Sequence, residues 1–410
     1  MINLAILGYG IVGSGVAEVC QLNGEAIRKR TGQSVQVRYI LDIRDFPGDP
    51  FADRIVHDPD VIFNDPEIAV VVETIGGSGI ALELTRRALR CGKHVVTSNK
   101  ELVARHGPEL IDLAREHAVS YLFEASVGGG IPIIRPLHKC LAANRIDAIA
   151  GILNGTTNYI LTRMRDDGIE FDQALAEAQA NGYAEKNPSA DVEGTDAARK
   201  ISILGSIALG HYIDSEQIYC EGISQITPAD IAYATDLDCQ IKLIGKFTQI
   251  SERSAELMVA PMLLPSSHPL SMANDVFNAI MVVGNALGDA LFYGRGAGKL
   301  PTASAVVADV IDCIMHLERI PHMSAWETDG PSVVKPHSES FVKILLRISR
   351  ALPRDAVEMA LSEYGVRWLD AHNNEEQVAV IGERGSLSEA VLAQWLEQWG
   401  EQVFARIRFF

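Results

Sequence analysis

Six cysteines in 410 residues form no CxxC pair. Cys20, Cys91, Cys140, Cys220, Cys239 and Cys313 stand singly along the chain. That pattern suits reduced, buried thiols and a cytoplasmic protein rather than a disulfide framework. Positive charge is also scarce: 36 Lys and Arg against 53 Asp and Glu leave a formal net charge of −17. Such a surface repels a phosphate backbone, which argues against a nucleic-acid partner, although a basic cofactor pocket can sit inside an acidic shell. No apolar run approaches the roughly 20 residues of a membrane-spanning helix. The N-terminal MINLAILGYGIVGSG has no basic stretch and its apolar run is broken by glycine, so it reads as neither a secretion signal nor a membrane anchor. The eleven histidines show no zinc spacing, Cys313 and His316 lie on one apolar helical pattern, and no GxSxG elbow occurs. What remains, 47% hydrophobic and 22% charged residues, is an ordinary globular balance over a length that predicts two or three domains.

The first third alternates strand and helix signals. Ile2–Leu7, Val35–Leu41, Ile68–Thr74, His94–Thr97 and Val119–Phe123 read as strands, and residues 12–30, Ile80–Cys91 and Glu101–His117 as helices. This alternation predicts an α/β fold with a doubly wound parallel sheet. Beyond about residue 130 the texture becomes mixed α+β. Asn144–Leu153, Tyr219–Ile226, Gln240–Ser251 and Ala255–Leu264 read as strands, and Asn158–Asp166, Phe171–Asn181 and Thr195–Leu209 as helices. Residues 301–318 form a strong helical pattern with proline at its start, 325–337 read as a linker, and 338–410 read strand, helix, strand, strand or loop, helix, strand, the length and order of a βαββαβ module. The predicted domains are 1–130, rejoined by the helix at 301–320, then 131–300, then 338–410.

Gly8-Tyr9-Gly10-Ile11-Val12-Gly13 is a GxGxxG loop that follows a strand and opens a helix. In that context Gly8 serves the tight turn, Gly10 lets backbone approach a pyrophosphate, and Gly13 lets the helix pack on the strand, with the helix N-terminus facing the anion. Asp42 ends the second strand, where an acid meets the adenine ribose hydroxyls, and Arg44 is placed to meet a 2′-phosphate instead. NAD and NADP therefore both stay open.

Chemistry concentrates in AQANGYAEKNPSADVEGTDAARK, residues 178–200. Asp196 and Lys200 are an i,i+4 pair at the start of an apolar helix, which is either a simple helix-stabilising pair or a lysine tuned by carboxylates to polarise an alcohol or aldehyde oxygen. Thr97-Ser98-Asn99-Lys100 lies at the carboxyl end of a strand, where doubly wound sheets hold ligands. Glu124–Ile131 (EASVGGGI) and Asn154–Asn158 (NGTTN) are small-residue runs that bring backbone groups close to a ligand or ion. A dehydrogenase without zinc needs side-chain acid–base groups, and the lysines are the candidates.

These residues resemble the homoserine dehydrogenase family through nearly the whole of 1–320. The most specific piece runs from Ala178 to Lys200 and holds Gly182-Tyr183, Asn187-Pro188, Asp191-Val192, Gly194, Asp196 and Lys200. GYGIVG, SNKELVA, EASVGGGIPII, GILNGTTNYIL and GRGAGKLPTASAVVADV support it. The resemblance implies reversible NAD(P)-dependent interconversion of L-homoserine and L-aspartate 4-semialdehyde in threonine, methionine and isoleucine biosynthesis. It implies a Rossmann domain, a substrate-binding and dimerisation domain and a C-terminal ACT-like domain. Lys100, Lys200 and Asp196 are the implied catalytic residues, with proton transfer and polarising contact exchangeable between the lysines. Glu185, Asp191, Tyr183, Gly155 and Thr156 are the implied substrate residues. Gly8, Gly10, Ile11, Val12, Gly13, Asp42, Arg44, Thr74, Ser98, Lys100 and Gly296 are the expected cofactor contacts. Glu124, Val127, Gly129 and Ile131 match the family's sodium site, mainly through backbone carbonyls. A homodimer is implied, and the start at the dinucleotide fold implies no attached aspartate kinase.

The tail departs from the pattern. The Asp-x-Pro-Gly loop usual in ACT modules is replaced by Arg350-Ala351-Leu352-Pro353-Arg354. Weak or absent threonine inhibition is therefore expected. Two rivals are weighed: an aspartate-semialdehyde or sugar dehydrogenase, the former needing a catalytic cysteine beside a base, and a non-catalytic NAD sensor, which would not need the Glu185, Asp196 and Lys200 set.

Overall fold

The computed structural model describes residues 1–317 and 325–410. The chain divides into two compact units: Met1–Asp147 with Arg199–Ser215 and Val283–Pro331, and Ala148–Ala198 with Glu216–Val282 and Ser332–Phe410.

In the first unit, short apolar runs become the strands of a wholly parallel sheet. These are β1 (Ile2–Leu7), β2 (Val35–Leu41), β3 (Ile55–Val56), β4 (Ile68–Glu73), β5 (His94–Thr97) and β6 (Tyr121–Leu122), in the order β3-β2-β1-β4-β5-β6. That order reverses direction between β1 and β4, the place where such sheets open a crevice for ligands. Leu4, Ile6, Val37, Ile40, Val70 and Val72 pack with Val16, Val306 and Val310 in one core. The helical pattern over 12–30 resolves into two helices, Ile11–Leu22 and Gly24–Thr31, because Asn23-Gly24 interrupts it. The strand expected over Val119–Phe123 pairs only at Tyr121–Leu122, since Phe123 leaves the sheet for the turn at Glu124–Ser126. The expected helix at 301–318 spans Lys299–Met315; residues 318–320 lie outside the described residues. In the stretch read as a linker, Trp326 is buried against Gly107 and Phe123.

The second unit is built on a mixed sheet. It contains most of β7 (Ile146–Ile152), then β8 (Tyr219–Cys220), β9 (Cys239–Ser251), β10 (Ser254–Pro265) and most of β11 (Phe277–Gly284). Neither β11 nor the following β12 (Gly288–Arg295), a first-unit strand, was anticipated. The strand expected over Tyr219–Ile226 stops at Cys220. There the chain turns: Ile223 N–H donates to the Val192 carbonyl (2.8 Å) and Ile226 N–H to the Ile223 carbonyl (3.0 Å), which removes both from any ladder. An unanticipated helix, Pro228–Asp236, begins with Thr227 and Asp230 capping each other.

The tail supplies β13 (Ile344–Ser349), β14 (Val366–Leu369), β15 (Glu376–Ile381) and β16 (Val403–Phe409), with helices at Arg354–Leu361 and Glu389–Trp399. The segment left between strand and loop is thus a strand, β15, and all six of its residues are buried. Pairing is antiparallel throughout, in the order β14-β15-β13-β16, and β16 continues in parallel onto β10 through Met262 opposite Arg408. Arg347 on β13 bonds Asp230 (2.6 Å) and Glu376 (2.8 Å) in the interior of this unit.

Lys242 on β9 is almost fully buried, bonded to Asn158 Oδ1 (3.0 Å), the Ala273 carbonyl (2.8 Å) and Asn274 Oδ1 (3.1 Å). Burial, reinforced by nearby Arg165, brings its amine down from 10.5 to about 7. A depressed amine binds fewer protons in the folded than in the unfolded state between these values, so its contribution to stability is present above 10.5 and lost as pH falls through about 7. Lys242→Met should flatten that part of the pH profile. The check is thermal unfolding of both proteins from pH 7 to 10; parallel profiles would contradict it.

Candidate functional site

The glycine loop shows a division of labour. Gly8 has φ +91, and its N–H donates to the Leu41 carbonyl (2.8 Å). A Cβ on Gly13 would lie 2.0 Å from the Gly8 carbonyl oxygen and 2.8 Å from Thr74 Oγ1, so only glycine lets this helix approach the sheet. A Cβ on Gly10 would meet nothing within 4 Å. Gly10 is the N-cap of helix Ile11–Leu22 and no side chain caps it, which leaves N–H groups directed at that open space. Ile11 is exposed there, whereas Val12 packs against the core. Gly8, Gly10, Asp42, Arg44 and Thr74 together line a cleft of about 630 Å³, joined by His57. The apolar Ile43, Ile75 and Ile80 also face it.

Asp42 is buried at the end of β2 and fully engaged. It accepts from Tyr9 N–H (2.8 Å), from Arg44 N–H (3.0 Å), and from Arg44 Nε (3.0 Å) and Nη2 (3.1 Å). The Arg44 guanidinium holds its carboxyl at about 2, against the opposing effect of burial. Arg44 lies over the Phe46 ring at 5.1 Å. His57, which no motif flagged, bonds the Asp42 carbonyl (2.8 Å) and Asp45 (3.1 Å).

A second missed residue is Glu73, wholly buried at the end of β4. Its Oε1 accepts from Ile75 N–H (2.7 Å) and Gly76 N–H (3.3 Å), and its Oε2 from the Thr97 hydroxyl (2.6 Å). Burial raises its carboxyl, opposed by these donors. Thr97 Oγ1 in turn accepts from Asn99 N–H (2.9 Å), Asn99 Nδ2 donates to the Gly77 carbonyl (2.6 Å), and Asn99 Oδ1 caps the helix Lys100–Glu116 through Leu102 N–H (3.1 Å). One carboxylate thereby ties the loop after β4 to the loop carrying Ser98 and Lys100. The signal was available: Glu73 is a charge inside the otherwise apolar IAVVVE.

At Glu124–Ile131 the Glu124 carboxylate is committed to backbone. It accepts from the N–H groups of Ile133 (2.6 Å), Ile134 (2.8 Å) and Arg135 (2.7 Å). Val127 and Ile131 are buried, and Gly129, at φ +56, leaves no room for a Cβ against the Gly296 carbonyl oxygen at 2.1 Å. Gly296 is therefore placed against Gly129, and it is not among the residues lining the cleft. Among the described residues no group of three or more His, Cys, Asp or Glu side chains is arranged to hold a metal.

In the second unit, Asn154 caps helix Gly155–Asp167 with its Oδ1, and its Nδ2 donates to both Asp191 Oδ1 (2.7 Å) and Asp196 Oδ2 (2.9 Å). One amide thus gathers two carboxylates 37 and 42 residues away in sequence. The Thr156 hydroxyl donates to the Tyr183 carbonyl (2.6 Å), and the Tyr183 ring meets Tyr159 edge-on at 5.0 Å. Gly155 fits where a Cβ would be 2.9 Å from the Val276 carbonyl oxygen. Glu185 is exposed, in the irregular stretch between helix Phe171–Ala180 and helix Ser189–Val192. Asp196 and Lys200 are both buried on helix Thr195–Leu209.

A parallel sheet of this order, with a glycine loop at its switch point and an acid closing β2, defines a dinucleotide-binding protein. Residues 8–124 match the family model described as homoserine dehydrogenase, NAD binding domain, and residues 132–311 match that described as homoserine dehydrogenase. The homoserine dehydrogenase of Pseudomonas aeruginosa is 46% identical over 337 residues, covering 81% of this chain and 77% of that protein. The crystal structure of a homoserine dehydrogenase from Thiobacillus denitrificans superposes with a TM-score of 0.91 at 36% identity, covering 100% of this chain and 98% of that one. A hyperthermophilic archaeal homoserine dehydrogenase mutant in complex with NADPH gives a TM-score of 0.65 at 29% identity, over 76% of this chain and 97% of that one. The chain belongs to the homoserine dehydrogenase family. Its activity is that of an NAD(P)-dependent oxidoreductase acting on homoserine. Among the described residues, no helix is long and apolar enough to cross a membrane.

Proposed function

We propose that Lys100 and Lys200 manage the hydroxyl proton and polarise the reacting oxygen of homoserine. In the same reading Asp196 holds Lys200, and Glu185, Asp191, Tyr183, Gly155 and Thr156 bind the amino-acid moiety, Glu185 taking the ammonium. The observation that carries this reading is the Asn154 amide bonding Asp191 and Asp196 at once, since it ties an acid of the short helix Ser189–Val192 to the acid in the first turn of the helix that bears Lys200. The nicotinamide cofactor supplies the hydride acceptor. The chain's task is to hold the substrate, hold the cofactor and move one proton. The test is steady-state kinetics with homoserine against other alcohols, and with aspartate semialdehyde in reverse. Turnover of other alcohols at equal kcat/KM would defeat the substrate assignment.

The cleft fits a dinucleotide. The space over Gly10 and the open helix N-terminus suit a pyrophosphate, with Asp42 and Arg44 at the adenosine end. The Asp42–Arg44 pair supports use of both cofactors: once the Arg44 guanidinium swings off Asp42, the freed carboxylate accepts ribose hydroxyls of NAD, or Arg44 meets the 2′-phosphate of NADP. The archaeal structural neighbour is described as bound to NADPH. Arg44→Ala should weaken NADPH binding by about 10- to 100-fold, the equivalent of one charge-assisted hydrogen bond, and leave NADH nearly unchanged. Asp42→Ala should move preference toward NADPH by removing charge repulsion. Cofactor titrations with both variants check this; an unaltered NADPH/NADH ratio in each would contradict it.

The remaining features belong to the same proposal. A sodium ion at Glu124, Val127, Gly129 and Ile131 would be held by backbone carbonyls, because the Glu124 carboxylate already serves three amides. The βαββαβ tail supports an ACT-like module. Its loop after β13 runs Arg350 to Pro353 with Leu352 buried and no glycine, so it is proposed as a module with weak or no threonine response. A cytoplasmic homodimer through the sheet of the second unit completes the reading. Light scattering and threonine titration test the last two points.

A further inference from the structure

A partly buried charge cluster lies where the tail meets Glu221. Arg408 on β16 is 1% exposed, yet its Nη1 donates to Glu221 Oε2 (2.6 Å) and its Nε to Glu389 Oε1 (2.5 Å). Arg406, two residues before it, donates to the same Glu221 oxygen (2.5 Å) and to Glu389 Oε2 (3.3 Å). The Tyr219 hydroxyl donates to Glu221 as well (2.9 Å), with the Arg408 guanidinium over its ring at 4.9 Å and His337 stacked on it at 3.6 Å. Two arginines and one carboxylate of the tail thus enclose a single carboxylate from outside it. Arg408 and Glu389 are buried and Arg406 and Glu221 partly so, and burying charge is costly unless it is paired, as each is here.

Glu221 lies next to the segment between Asp191 and Asp196. Its own N–H is held by the Val259 carbonyl (2.8 Å) on β10. Cys220 Sγ donates to the Glu193 carbonyl (3.2 Å), and Ile223 N–H donates to the Val192 carbonyl (2.8 Å). Between them Gly222 lies so close that a Cβ would be 2.4 Å from the Val192 carbonyl oxygen and 2.6 Å from Glu193 Cα. Gly194, at φ +83, packs against Cys220 Sγ and Val259. Residues 220–223 therefore form a rigid backing for Val192–Gly194, whose flanking carboxylates share the Asn154 amide.

We propose that Glu221 and Arg408 are positioning residues for the substrate segment, so that the C-terminal strand sets the placement of Asp191 and Asp196. This rests on the reading that those two acids serve the substrate. Arg408 anchors Glu221 to β16, Glu221 fixes the 220–223 backing, and the backing fixes the segment from behind. Neither residue lines the cofactor cleft, and each acts through the backbone it holds. Loss of either should loosen the segment while leaving the cofactor cleft, which is built from other residues, intact.

The test is homoserine and cofactor kinetics on Glu221→Gln and Glu221→Asp, with thermal unfolding alongside and Asp191→Asn as reference. Glu221→Gln keeps the shape and removes the charge. It should raise the homoserine KM about tenfold, below the roughly 10²-fold that a full 1 Å misplacement can cost, with the cofactor KM unchanged and partial recovery in Glu221→Asp. A folded Glu221→Gln enzyme with wild-type homoserine KM, while Asp191→Asn raises it, overturns the positioning role and leaves the substrate assignment standing. An unchanged KM in Asp191→Asn removes the assignment itself, and the proposal with it. Equal losses for homoserine and cofactor would show general destabilisation and also overturn it. Should Glu221→Gln not fold, Arg408→Lys, which keeps the charge but loses the forked contact to Glu221 and Glu389, carries the same expectation and the same refutation.

Discussion

Replacing Lys100 or Lys200 by alanine should each lower kcat by about 10²–10⁴-fold, the usual contribution of a positioned acid–base group, while NAD(P) binding survives. The hydroxyl proton leaves as the hydride leaves, and a positioned side chain is needed to take it. A free lysine near 10.4 is too basic for this work at neutral pH, so the lysine mechanism requires an environment that favours the neutral amine. Lys200 is buried on its helix, and Lys100 opens another helix at the carboxyl end of β5, fixed by the Glu73, Thr97 and Asn99 bonds. Glu185→Ala should act differently, raising the homoserine KM with less effect on kcat, since an exposed carboxylate that takes the ammonium contributes to binding before the chemistry begins. Steady-state kinetics on the three folded variants decides. If both lysine variants keep more than about a third of wild-type kcat, against the 10²-fold minimum expected, the lysine mechanism is wrong.

The glycine loop gives the second large effect, and it separates two roles that one motif combines. Gly10→Val should fold and lose cofactor affinity by about 100-fold or more, equivalent to roughly 2.7 kcal/mol. The valine enters space that is empty of protein and is the approach to the helix N-terminus. Gly13→Ala should do the reverse, costing stability at or above the upper end of the about 1–3 kcal/mol typical of overpacking, because its methyl collides with the Gly8 carbonyl oxygen at 2.0 Å. Thermal unfolding and cofactor titration of both variants check the pair. A Gly10→Val protein with wild-type affinity would rule out the cleft as the cofactor site.

Local pattern carried a large part of this molecule. The parallel strands β1, β2, β4 and β5 are legible because each is a short apolar run bounded by turn residues, and the glycine loop because its steric demands fall on neighbouring residues. The helices at Gly155 and Thr195 are legible from periodicity. Less accessible were β8, cut short by a turn that spends its N–H groups on Val192 and Ile223, and β11, β12 and helix Pro228–Asp236, although the Thr227-to-Asp230 capping box was visible in the sequence. The tail's β15 was ambiguous for a related reason: a strand buried on both faces shows no alternation.

The sequence by itself determined the glycine loop, the strand–helix alternation and the identity of the acids and lysines available for chemistry, because those depend on residue type and on neighbours within a few positions. Tertiary structure alone decided which of those groups meet. The Asn154 amide joins Asp191 to Asp196, and the Glu73 carboxylate joins two loops. It also decided that the Glu124 carboxylate serves backbone amides, and that Arg408, the third residue from the end of the sequence, reaches Glu221. The physical reason is the same in each case: a buried polar group must find its partner wherever folding brings one, and sequence separation carries no information about that distance.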